Sequence, residues 1–107
     1  MIDWSKVKTA ETKQAEALEA TKARFISFIQ SYMDNQAKVR GYDGILSLCT
    51  YATSSSPQFS AEGQAGVAFR DQCWTTGYTI LAAVEAGQRG IPTEEELLAE
   101  LPTLVWP

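Results

Sequence analysis

Apolar residues are spread unevenly along this chain. Between Lys8 and Ala17 the only apolar residues are alanines, whereas from Leu18 onward a stripe runs through Leu18, Phe25, Ile29, Tyr32 or Met33, and Val39. No proline or glycine interrupts Asp3 to Arg40, and Ala, Glu, Lys and Gln dominate. One long helix is predicted over residues 1–40. Charges three apart on one face, Lys8/Glu11, Lys13/Glu16 and Glu19/Lys22, support it weakly. The second part of this helix can pack on a core. The first part has little to bury, and a polar helix of that length is marginal alone in water. Residues 1–17 are therefore expected either to protrude and fray or to pack against another chain. Trp4 and Val7 are the exception there, an apolar anchor folded back or a contact site.

Gly41-Tyr42-Asp43-Gly44 ends the helix, Gly41 suiting a left-handed C-cap and Asp43 the N-cap of a second helix. That second helix is short and places Ile45, Leu48, Cys49 and Ala52 on one face. A loop of Ser54, Ser55, Ser56 and Pro57 comes next, with Phe59 expected to plug the core. Ser60 is read as the N-cap of a second long helix, with Glu62 in its first turn favoured by the helix dipole. Its stripe is Ala65, Phe69, Cys73, Thr76, Ile80 and Val84. Gly63, Gly66 and Gly77 inside that helix predict close approach of another backbone, since each costs about 1 kcal/mol relative to Ala. Gly87 ends the helix, with Arg89 placed over its last carbonyls. Thr93-Glu94-Glu95-Glu96 reads as a capping box opening a short helix buried by Leu97, Leu98 and Leu101. Pro102 stops it, and residues 103–107 form an extended tail across the body. No segment keeps strand period for long and no internal repeat is visible. The predicted fold is all-α: a long helix, a short helix, a second long helix and a short capped helix in one small bundle. Residues 41–107 make its compact body, and the whole is one domain, as 107 residues allow one modest core.

Composition changes this picture little, but charge divides it. Residues 1–40 hold seven Lys and Arg against five acids, and residues 41–107 hold two Arg against eight acids. Neither half has the dense basic face that neutralises phosphates, so no nucleic acid is expected as a partner. The acidic half disfavours anionic lipid and suits a basic protein surface, or simply a solvated one. The longest apolar run, Tyr78 to Val84, is too short for a membrane span. Asp3, Lys6 and Lys8 interrupt any signal-peptide layout, so the chain is expected to be made and kept in the cytoplasm, or packed into a particle assembled there.

Candidate chemistry is sparse. The chain contains no histidine, which removes the commonest general base and metal ligand. Cys49 and Cys73 lack metal-ligand spacing and read as small buried hydrophobes, a bridge between them being the alternative. Glu94, Glu95 and Glu96 diverge around a helix start, where capping and the dipole explain them. No catalytic residue, metal or cofactor is assigned. Arg70 and Asp71, beside Phe69 and Trp74, are expected to pair with a neighbouring helix and set its packing angle, a direct partner contact being the alternative. Trp74 and Trp106 are core candidates, though Trp also favours interfaces.

Several short elements follow one another in order: GYDG at residues 41–44, Cys-x-Tyr-Ala at 49–52, Phe-x-x-Glu-Gly at 59–63, and Arg-Asp-x-x-Trp at 70–74. The Ala-Gly exit at 86–87, Pro-Thr-Glu-Glu-Glu-Leu at 92–97, Leu-Pro and Trp-Pro complete the set. In order and spacing residues 41–107 resemble a module of small proteins encoded among the tail and tail-fibre genes of tailed bacteriophages and prophages. The resemblance implies no catalytic residue. It implies a tail-fibre, tail or baseplate protein as partner, bound by an assembly chaperone or a small virion component. Such a protein would work in the host cytoplasm during assembly or in the virion tail. Trp4, Val7, Leu18 and Trp106 are the partner-contact candidates, and a coiled coil of the N-terminal helix would allow a homo-oligomer. A phage-encoded inhibitor of a host or defence protein is the other reading that small size and acidic charge fit.

Overall fold

A computed structural model describes the backbone from Trp4 to Pro107 and the side chains from Glu16 onward. The fold among the described residues is all-α: α1 (Trp4–Lys38), α2 (Ile45–Cys49) continued by a 3-10 turn (Thr50–Thr53), α3 (Pro57–Glu85) and α4 (Glu94–Glu100). The long helices α1 and α3 run antiparallel. Lys22 meets Glu85 at 2.8 Å, Tyr32 and Phe69 lie with ring centroids 6.0 Å apart, and Arg40 reaches Glu62.

The core side of α1 is a row four residues apart, Phe25, Ile29, Met33 and Ala37, all buried. Val39, expected in that stripe, is 72% exposed. By then α1 has ended, and the face it held belongs to Ala37. Two matching caps close the long helices. Gly41 N–H donates to the Lys38 carbonyl and Tyr42 N–H to that of Ala37, with Gly41 at φ +88°. Gly87 and Gln88 repeat the pattern on Val84 and Ala83, with Gly87 at φ +73°. Both are Schellman motifs, which need a left-handed residue that only glycine adopts at little cost. Gly87 thus accounts for the end of α3 as expected. Arg89 does not sit over the last carbonyls but makes a two-pronged pair with Glu100 of α4, at 2.9 and 3.2 Å.

The helix starts correct two expectations. Asp43 does not cap α2. The Ile45 N–H instead donates to Asp34 Oδ1 of α1 at 2.9 Å, so the cap comes from a neighbouring helix. A Cβ on Gly44 would collide with that same oxygen. Likewise α3 opens at Ser56, with Pro57 in its first turn, not at Ser60. Ser60 Oγ donates to the Ala52 carbonyl at 3.0 Å and ties α3 to the 3-10 turn. Thr93 caps α4 as read, its hydroxyl accepting from Glu96 N–H at 3.2 Å. The reciprocal bond from the Glu96 side chain is not formed.

Close packing along α3 is divided between backbone and side chains. A Cβ at Gly63 would overlap the Tyr51–Ala52 backbone, whereas at Gly66 and Gly77 it would meet Leu48 and Ile29 side chains. The expected backbone approach therefore occurs at Gly63 alone. Leu97, Leu101 and Leu104 are buried, while Leu98 stays 46% exposed. From α4 the tail follows α1. Tyr32 O–H donates to the Pro102 carbonyl at 2.7 Å, and Trp106 lies beside Arg40 at 5.1 Å. Four extended residues cover about 13 Å and eight helical residues about 12 Å, so the tail and α1 keep step. No described helix is long and apolar enough to cross a membrane.

Candidate functional site

The register that buries Gly66, Phe69, Cys73, Gly77 and Ile80 also carries Glu62 to the inner face of α3. Its residue exposure is 4%. A carboxylate there must be hydrogen-bonded, because burying it without partners is costly. Tyr42 O–H donates to Oε2 at 2.7 Å, while Gln58 Nε2 and Arg40 Nη1 each stand 3.4 Å from Oε1. The Tyr42 hydrogen bond, aided by Gln58 and Arg40, holds the carboxyl below its ordinary range despite desolvation. Burial, with the Glu62 bond second, pushes Tyr42 up to about 12. The pair is thus ionised carboxylate and neutral phenol at neutral pH.

Aromatic rings extend from this pair in both directions. Trp106 stacks on Tyr42, centroids 6.2 Å apart and planes at 10°, and the Arg40 guanidinium lies 5.1 Å from the Trp106 ring centre. On the other side Tyr51 meets Tyr42 edge-on at 5.4 Å and Phe59 at 5.6 Å. A cavity of about 320 Å³ opens among Tyr42, Tyr51, Phe59 and Glu62, with Arg40, Asp43, Ser47 and Gln58 also lining it. Phe59 does not plug the core. It is 45% exposed and walls this cavity.

The residues singled out from sequence fall in different places. Trp106 belongs to this cluster and is half-buried. Leu18 is half-buried on α1, far along the helix from it. Trp4 and Val7 lie outside the described side chains. Arg70 and Asp71 are both exposed and make no hydrogen bond or ion pair among the described residues, so they do not set a packing angle. The α1–α3 contact runs instead through Gly77 against Ile29 and Phe69 against Tyr32. Trp74, half-buried, stacks on exposed Tyr78 at 5.9 Å.

No local sequence pattern marks Arg40, Tyr42, Tyr51 and Glu62 as one group. The usable signal was the register of Glu62, which falls on the buried stripe four residues before Gly66. Cys49 and Cys73 are free thiols. Burial raises both, Cys73 to about 12, which leaves little thiolate for nucleophilic chemistry. Among the described residues no group of three or more Cys, Asp or Glu could hold a metal ion. No protein-family model, curated protein or solved structure matches this chain.

Proposed function

We propose that this chain is a tail accessory protein of a tailed bacteriophage or prophage. It binds a tail-fibre, tail or baseplate protein, as an assembly chaperone or as a small virion component. One observation supports the reading above others. Four of the sequence elements that carry the resemblance, GYDG, Cys-x-Tyr-Ala, Phe-x-x-Glu-Gly and Trp-Pro, are spread over residues 41–107 yet meet in one cluster. Tyr42, Tyr51, Phe59 with Glu62, and Trp106 supply its members. Shared packing explains why these elements would be kept together, and a partly exposed aromatic surface is the composition of an interface centre.

Co-expression with tail-fibre, tail and baseplate proteins of tailed phages tests the reading. Co-purification, or a gain in soluble fibre protein, is the expected result. Mass spectrometry of purified virions then separates the two roles. A chaperone is absent, and a component is present at fixed stoichiometry. Absence of both binding and a solubility change with every tail protein tested overturns the proposal. Specific recovery of one host protein instead assigns the chain to the inhibitor class.

A further inference from the structure

The cavity beside Glu62 has walls and charge that select a ligand class. At about 320 Å³ it stands at the small end of ligand pockets, with room for one side chain and not for an extended peptide. Its aromatic members, Tyr42, Tyr51 and Phe59, meet edge to face, at 5.4 and 5.6 Å. Aromatic faces attract cations, and a planar guanidinium stacks on them best. Two carboxylates line the space, Asp43 and Glu62, against one cation, Arg40. The surrounding half of the chain has the same sign, two Arg against eight acids in residues 41–107.

The bonding of Glu62 is uneven. Oε2 has a short bond from Tyr42, but Oε1 has only two contacts, both 3.4 Å. Charge-assisted bonds close to about 2.7–2.9 Å when geometry allows, so Oε1 retains capacity for a stronger donor. Arg40 does not supply it. Its guanidinium rests over Trp106, and its side chain is 45% exposed. The chain's own arginine therefore stands at the edge of the site as a weak occupant.

We propose that this cavity is a recognition pocket for an arginine side chain presented by a protein partner. The guanidinium lies in the cavity against the walls made by Tyr51 and Phe59, donates to Glu62 Oε1 and faces Asp43, while Arg40 moves aside along Trp106. The pocket rests on the preceding reading only in taking the partner to be a protein.

The test titrates the isotopically labelled full chain with N-acetyl-arginine methylamide, followed by heteronuclear NMR. The neutral isostere N-acetyl-citrulline methylamide is the control. Saturable shifts at Asp43, Tyr51, Gln58 and Phe59 are expected, with a dissociation constant on the order of millimolar for a lone side chain. The citrulline probe is expected to leave them unmoved. Asp43→Asn and Glu62→Gln should weaken binding about threefold or more. Arg40→Gln should strengthen it by a similar factor, because a competing cation is gone. A purely structural role for Arg40 would not produce that gain.

Unsaturable shifts, an equal response to citrulline, or weaker binding in Arg40→Gln each overturn the proposal. Asp43 and Arg40 are exposed, so those two variants decide the matter even if Glu62→Gln fails to fold. Probe binding without fibre-protein binding retains the pocket and removes the tail partner. Fibre-protein binding without probe binding does the reverse.

Discussion

The antiparallel pair α1–α3 is closed at its two ends by different chemistry. At one end Lys22 bridges to Glu85 at 2.8 Å, and Arg89 clasps Glu100 beyond it. All four side chains remain 30–41% exposed. At the other end Glu62 is buried and bonded to the Tyr42 phenol, which in turn packs against Tyr51 and Trp106. Exposed ion pairs contribute little, because water competes for both charges and salt screens them. A buried carboxylate leaves no such substitute, so removing one of its partners is felt in full. The first end can vary freely. The second constrains several elements at once, which is why it is the better place for a binding surface.

The largest break in this contrast is expected at Gly63→Ala. The new methyl would overlap the Tyr51–Ala52 backbone and push the 3-10 turn away from Glu62. A loss of about 2–3 kcal/mol is expected by urea unfolding followed by circular dichroism. Trp106→Ala should cost about 2 kcal/mol, because it strips the stack from Tyr42 and the ring beneath Arg40. Retention of full stability in this variant would mean that the tail is not docked.

Tyr42→Phe keeps the stacking and removes one hydrogen bond. It should cost about 1–2 kcal/mol, and its pH profile sharpens the comparison. Glu62 has a lowered pKa in the folded state, so its contribution is present above the ordinary carboxylate range. That contribution is lost as pH falls through the folded value. Tyr42 and Cys73 are raised to about 12, so stability is full below their ordinary values and is lost as pH rises toward 12. In Tyr42→Phe the acid loss linked to Glu62 should shrink, since without the phenol's hydrogen bond the folded-state carboxyl moves back toward its ordinary range. Its alkaline loss should be smaller.

The smallest effect is expected at the opposite end. Arg89→Ala should leave the melting midpoint nearly unchanged at moderate salt, and Lys22→Ala likewise. A large loss in either would mean that the exposed end, and not the buried one, carries the stability.

The legible parts of the fold were those decided within a few residues. Gly41, Gly87 and Thr93 act where local backbone geometry needs them, and Phe25, Ile29, Leu48, Phe69, Cys73 and Leu97 follow helical period into the core. The misread positions share another trait. Asp43 and Ser60 are good caps by type, but Asp34 and Ser56 hold the positions from which a side chain can reach the free N–H groups. Phe59 is apolar enough for the core, yet α3 begins early enough to turn it outward. The candidate site was least legible, because Arg40, Tyr42, Tyr51, Glu62 and Trp106 come from separate stretches of the chain.

Sequence by itself determined that this chain forms helices, where the two long ones stop, and which faces are apolar. These are properties of propensity and period acting over a turn or two. Only the tertiary structure decided that Asp34 caps another helix, that the tail keeps step with α1, and that Glu62 is buried against Tyr42. Each of these depends on the distance between segments far apart in the chain, set by the packing of Ile29 on Gly77 and Leu48 on Gly66.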